Sequence, residues 1–183
     1  ESTIFFAQSG GQESDAGTIA GLPVLTARKE GLEISYQLPP DHRLQVGQLV
    51  EVEIDWLRRY CLMRLHFAAE IVLELVCRKF PGIEKIGAYI GSEKARIDFV
   101  AQERFNTHIP ELESNANGLI QRDLTIVSEF SDEGGERRYW QIDGFSKVPC
   151  GGTHIRSTGE VGEIRLKRRN PGKGKERIEV RLV

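Results

Sequence analysis

DWLRRYCLMRLHFAAEIVLELVCRKFPG, residues 55–82, is the stretch on which the fold turns. From Trp56 to Phe80 it contains no Gly or Pro, Asp55 stands where an N-cap belongs, and Pro81-Gly82 is an ordinary stop, so a single long helix is predicted. Leu62, Ala69, Leu73 and Val76 recur at helical spacing, and almost every turn carries several apolar side chains, which predicts a largely buried helix. Burial makes its polar residues informative. His66 and Glu70 are four apart and therefore share one face, one turn from each other.

The flanks on either side read as strands and turns. Before the helix, Gly10-Gly11, Gly17, Gly21-Leu22-Pro23, Gly31, Pro39-Pro40-Asp41 and Gly47 punctuate short apolar runs from Thr3 to about Val52. Leu49 to Asp55 ends with apolar residues alternating with acids, as a half-buried strand does. No initiator Met opens the chain, which reads as a first unit truncated at its start. After the helix, Ile86 to Phe99 reads as two strands turning at Gly91-Ser92, and Pro110 to Arg122 as a second helix, weakened by Gly118. Leu124 to Phe130 and Tyr139 to Ile142 flank the turn Asp132-Glu133-Gly134-Gly135, and Val161–Arg169 with Glu176–Val183 reads as a hairpin about Asn170 to Gly174. The expectation is an α+β chain with a compact β unit over residues 1–55 and an α/β core over residues 56–183.

Composition narrows the class. The chain has 183 residues, 25 Lys plus Arg against 27 Asp plus Glu, 39% hydrophobic and 28% charged residues, which excludes a wholly disordered chain. Its most apolar run, Ile71 to Cys77, is broken by Glu74 and falls far short of the roughly 20 residues of a membrane span, so no membrane partner is expected. Cys61, Cys77 and Cys150 are too few and odd in number for a disulfide framework, which points to a reducing, cytoplasmic setting. No secretory or transit segment is read at Glu1 to Phe5. Charge is uneven: Arg156 to Val183 holds nine basic and four acidic residues, +5, leaving -7 on the rest. Lys167-Arg168-Arg169 with Lys173 and Lys175 fits either a solvated hairpin face or a nucleic-acid contact.

The sharpest chemical feature is Cys150-Gly151-Gly152-Thr153-His154. Two glycines permit a tight turn that aims a thiolate and an imidazole at one point, at the ~2.3 and ~2.0 Å zinc requires. With His66 and Glu70, four ligands of suitable type are available. The spacing alone leaves two other readings open: a buried thiol beside a hydrogen-bonded histidine, or a Cys150 nucleophile with His154 or His66 as base.

Several further motifs, in order, resemble the editing domain of alanyl-tRNA synthetases and the free-standing AlaX-type proteins. They are Ser9-Gly-Gly-Gln12 followed by Ser14-Asp15-Ala16-Gly17, Val52-Glu-Ile-Asp55 to Arg58, Ile90-Gly-Ser92, Arg96-Ile-Asp-Phe99, the Cys150–His154 motif with Thr158-Gly159 and Gly162, and Arg177-Ile-Glu179. The resemblance runs nearly end to end. It implies a β-barrel-like N-terminal unit on a two-layer α/β editing core. It also implies zinc as cofactor, mischarged alanine tRNA as partner, and hydrolysis of the seryl ester by a metal-activated water, with glycine a second candidate. Metal ligation falls on His66, Cys150 and His154, with Glu70 as fourth ligand or general base. Gln12 and Thr153 then either donate hydrogen bonds in the pocket or serve structure, Gln12 ordering its own loop and Thr153 supporting the ligand turn, and Gly10 and Gly11 contact substrate.

Two departures stand out. Ser9 replaces the first glycine of the usual run, and His66-Phe-Ala-Ala-Glu70 carries a carboxylate where the family has a second histidine. Around Zn²⁺, three imidazoles and a thiolate sum to +1, whereas replacing one imidazole by a carboxylate gives zero, a weaker Lewis acid. The same change supports a competing reading, a tRNA-binding or regulatory relative with impaired turnover. Oligomeric state is not legible in the sequence.

Overall fold

The computed structural model describes residues 3–101, 103–135, 137–172 and 174–183. Short strands come first: β1 (Gly17–Ile19), β2 (Leu22–Pro23), β3 (Thr26–Glu30), β4 (Glu33–Gln37) and β5 (Val52–Ile54). They form an antiparallel sheet of order β2-β1-β5 and a separate β3-β4 hairpin. Neither closes on itself among the described residues, so the barrel-like expectation gives way to two open pieces. Strands of two and three residues offer too few ladder positions for closure. The alternation beginning at Leu49 becomes a strand only at Val52, because Val46 and Leu49 are exposed and find nothing to pack on. Phe5, Ala7 and Ala27 form a small separate core.

Helix α1 (Trp56–Lys79) has the extent its sequence predicts, with the Asp55 carboxylate accepting from the Arg58 N–H at 3.0 Å as N-cap. Arg59 in its first turn pairs with the buried Asp15 carboxylate and fastens the N-terminal piece to the core. Leu62, Leu65, Phe67, Ala68, Ile71, Val72 and Val76 are buried, whereas Leu73 is only half-buried. Apolar burial of more than one face requires neighbours on more than one side, and α1 has them.

On one side lies an antiparallel sheet of order β11-β12-β7-β6, built from β6 (Glu84–Ile90), β7 (Ala95–Val100), β11 (Ile164–Gly172) and β12 (Lys175–Leu182). Its register sets Leu166, Val180, Ala95 and Ile90 side by side on the inner face, with Ile178 and Ile97 in the next row. Helix α2 (Ile109–Gln121), with Leu112, Ala116, Leu119 and Ile120 buried, packs beside α1 on that face. On the other side is a meander of β8 (Val127–Asp132), β9 (Arg137–Ile142) and β10 (Ser146–Pro149). Its buried Trp140 meets Phe67 of α1 edge to face, ring centroids 5.2 Å apart. The sequence reading missed β10, four residues ending in proline.

The loop around Gln12 joins the two parts. Gly10 and Gly11 adopt φ of 59° and 86°, and their turn docks on the free edge of β6. There Gly11 O accepts from the Ile90 N–H at 2.8 Å, and the Glu13 N–H donates to Ile90 O at 2.9 Å. A side chain at Gly11 would collide with the Ala88 carbonyl. No helix among the described residues is long and apolar enough to cross a membrane. Lys173, one of the basic hairpin residues, lies outside the described residues.

Candidate metal centre

α1 presents His66 from its middle turns, and the segment after β10 delivers Cys150 and, four residues on, His154. His66 Nε2 lies 3.2 Å from Cys150 Sγ, and ligand atoms of His66, Cys150 and His154 all fall within 4.8 Å of one another. Bond lengths of ~2.0 and ~2.3 Å about a tetrahedral zinc put nitrogen and sulfur about 3.5 Å apart, close to the spacing seen. His154 Nδ1 is 2.9 Å from the Ser128 hydroxyl, while its Nε2 is buried without a partner among the described residues. A buried nitrogen left unsatisfied costs about 1–3 kcal/mol, which a cation at the point of convergence removes. The three side chains therefore fit a divalent metal.

The ligand loop is held from outside. A side chain at Gly152 would stand 2.7 Å from His66 Nε2 and 2.9 Å from Nδ1, and nearer still to Cε1. At Gly151 it would meet nothing within 4 Å, and neither glycine uses the left-handed region. The loop brings Cys150 and His154 together without a left-handed residue at either glycine. Gly152 is needed because the His66 ring rests against it. Arg138 of β9 donates to the carbonyl oxygens of Gly151, at 2.9 Å, and of Gly152, pinning the loop. Gln12, 1% exposed, donates from Nε2 to Thr153 Oγ1 at 3.0 Å and keeps a buried Oε1 without a partner among the described residues. Gly10 and Gly11 shape the turn that brings Gln12 there.

Glu70 lies beside the trio. Its Oε2 accepts from the Trp140 indole at 3.0 Å, and Oε1 is 3.8 Å from His66 Nε2. Burial raises its carboxyl above the ordinary range, opposed by the indole hydrogen bond and the Lys85 charge. Burial, aided by the charges of Lys85 and Arg138, brings the His66 imidazole from 6.5 to about 4. His154 falls to about 3, by burial and by the neighbouring His66 and Arg138. Burial and the charge of Glu70 push the Cys150 thiol up to about 11. These directions oppose a thiolate–imidazolium pair, so the nucleophile reading of Cys150 finds no support. They favour neutral imidazoles, which is the state a metal ligand needs.

Sequence reasoning missed Ser128, Lys85, Arg138 and Trp140. Each reaches the site from a strand of a local hairpin or meander, β6, β8 or β9, whose register and packing against α1 the sequence does not show, and the alternation of β9 in Arg138 and Trp140 was the only local signal.

The family described as threonyl and alanyl tRNA synthetase second additional domain matches residues 135–179, the span holding Cys150 and His154. The chain is similar to the alanyl-tRNA editing protein AlaX-M of Pyrococcus horikoshii, 35% identical over all of this chain and 85% of that protein. It is also similar to AlaX-M of Saccharolobus solfataricus, 32% identical over 97% of this chain and 85% of that protein. Alanine–tRNA ligase of Methanococcus vannielii is 30% identical over 97% of this chain, which corresponds to 22% of the ligase.

Proposed function

Because the chain belongs to the AlaX-type alanyl-tRNA editing proteins, we propose that it is a metal-dependent deacylase that frees serine from mischarged alanine tRNA. The observation that carries the reading is the meeting of His66, Cys150 and His154 within 4.8 Å, beside the half-buried carboxylate of Glu70. His66, Cys150 and His154 hold the metal, with zinc the ion their donor set suits. When bound, zinc supplies a Lewis acid that makes water a usable nucleophile near neutral pH.

The chain's own residues do the rest. Glu70 Oε2 stays anchored on the Trp140 indole, leaving Oε1 to take a proton from the attacking water. Its raised pKa makes it a better base than an exposed carboxylate would be. Water oxygen bonds to the ester carbonyl carbon, the bond from that carbon to the ribose oxygen breaks, and Glu70 passes its proton to the departing ribose oxygen, which becomes the free hydroxyl. Free serine and uncharged tRNA result.

Selectivity follows from the orphan acceptor. Gln12 Oε1 is buried and unpartnered among the described residues, so a seryl hydroxyl satisfies it and an alanyl methyl leaves it unpaired. Thr153 fixes the amide that presents it. The backbone of Gly10 and Gly11 borders the substrate at this turn. The competing reading, a tRNA binder without turnover, draws on the carboxylate at Glu70, which lowers the charge of the site. One assay separates them: with zinc supplied, release of serine from seryl-tRNA(Ala) and retention of alanine on alanyl-tRNA(Ala) are expected. Absence of serine release overturns the deacylase reading.

A further inference from the structure

The four-stranded sheet has helices on one face only, and the register assembles an unusual row pattern on the other. Lys167, Glu179, Arg96 and Tyr89 stand side by side across all four strands. The next row is Arg169, Arg177, Asp98 and Gly87, and Arg165 faces Arg181 at the end of the β11-β12 pair. The outward positions of β7, β11 and β12 hold seven cations and two carboxylates, a net +5 on a chain of net charge -2. Both carboxylates are taken up internally. Asp98 accepts both arms of Arg177 at 2.5 and 2.8 Å, and Glu179 is bound by Lys94 at 2.7 Å. Lys167, Lys175 and Arg181 are exposed.

Like charges directly opposite one another destabilise an antiparallel pair. Here the opposed arginines are largely compensated, since Arg165 pairs with Glu113 and Glu163, Arg169 with Glu179 and Arg177 with Asp98. Lys167, Lys175 and Arg181 have no ion pair among the described residues and are the charges this face offers to an external polyanion. The other end of the face differs in kind. Arg96 lies over the Tyr89 ring, 5.4 Å from its centroid, and its buried Nε has no partner among the described residues. A guanidinium layered on an aromatic ring is a surface on which an unstacked base sits. Tyr89 in turn donates to Glu13, the residue after Gln12, so the aromatic end of the face adjoins the loop that serves the metal centre.

We propose that this open sheet face docks the RNA of the substrate, its cationic rows holding backbone phosphates and its Tyr89–Arg96 end turning the acceptor strand toward Gln12. The inference rests on the tRNA reading above. It is tested by measuring binding of uncharged alanine tRNA by fluorescence anisotropy as a function of salt, for the wild-type protein and for K167A/K175A/R181A. Each lost phosphate contact flattens the plot of log affinity against log salt by about one unit, so the triple variant loses about three units of slope and at least about tenfold in affinity at low salt. In deacylation, KM rises by a similar factor with kcat unchanged. Lys167→Glu alone gives a second, smaller shift in the same direction. An unchanged slope and KM overturn the proposal, as does an equal loss in R28A/R43A/R122A, which removes exposed cations elsewhere. The two readings fail separately. Weak binding by the triple variant, with no serine release by the wild-type protein, refutes the deacylase and leaves the docking face standing. Normal turnover by the triple variant at subsaturating tRNA does the reverse.

Discussion

Replacing Gly152 with alanine is the most local perturbation of the metal centre that leaves every ligand in place. The new methyl would lie 2.7 Å from His66 Nε2 and closer to Cε1, whereas carbon atoms rest at ~3.5–4.0 Å, so ring and loop must separate by roughly 1 Å. Little room exists for this, since the ring is 6% exposed and Arg138 pins the loop carbonyls. Overpacking of this kind costs about 1–3 kcal/mol of stability, partly offset because alanine restricts the unfolded chain. Its effect on function is larger: a displaced ligand weakens metal binding about 10–100-fold, and a 1 Å misplacement in a reacting site costs on the order of 10²-fold in rate. Gly151→Ala is the matched control, with open space around its added methyl. Zinc affinity by competition with a chelator, melting temperature and serine release, measured on both variants, separate the effects. Equal behaviour of the two variants, or full zinc affinity in Gly152→Ala, refutes the reasoning that His66 needs this glycine.

Glu70→Gln keeps the shape and the Trp140 contact but cannot take a proton, so kcat falls about 10²–10⁴-fold with zinc content intact; loss of zinc instead makes Glu70 a ligand. The metal-free protein loses stability in acid. His66 and His154 titrate at about 4 and 3 when folded but near 6.5 when unfolded, so the unfolded chain binds more protons below pH 6.5. Their contribution is complete above that value and fades as pH falls toward 4 and 3. A melting temperature flat from pH 7 to 4 contradicts this. Zinc binding near pH 7.5 releases about one proton, from Cys150, because its thiol titrates at about 11 and the imidazoles are already neutral. Calorimetry in buffers of different ionisation enthalpy reads that number, and a value of zero excludes Cys150 as ligand.

Local signals carried much of this fold. Helix α1 was legible to within a residue because its start, period and stop all lie in one unbroken stretch. His66 and Glu70 share a face by helical geometry alone, and Cys150 and His154 are four residues apart, a spacing that a bent loop can close. That His66 meets the latter pair follows from packing between α1 and the segment after β10; beforehand the ligand types alone suggested it, beside other readings, and the family resemblance pointed to it more sharply. Lys85 was invisible because its place depends on the register of β6 against β7, including a shift between Lys85 and Gly87. The N-terminal unit was overread for a related reason. Turn residues mark where strands end, but nothing local shows whether short strands have partners enough to close, and residues 38–51 did not. The need for Gly152 in particular was not legible, because glycine tells of missing bulk or of unusual backbone and the sequence does not distinguish the two.

X-ray absorption at the zinc edge on the protein purified with its metal tests the central claim most directly. Convergence of His66, Cys150 and His154 predicts one sulfur scatterer at ~2.3 Å and two imidazole nitrogens at ~2.0 Å, with the sulfur absent from Cys150→Ser. A spectrum with no sulfur, or protein that retains no metal at all, contradicts it.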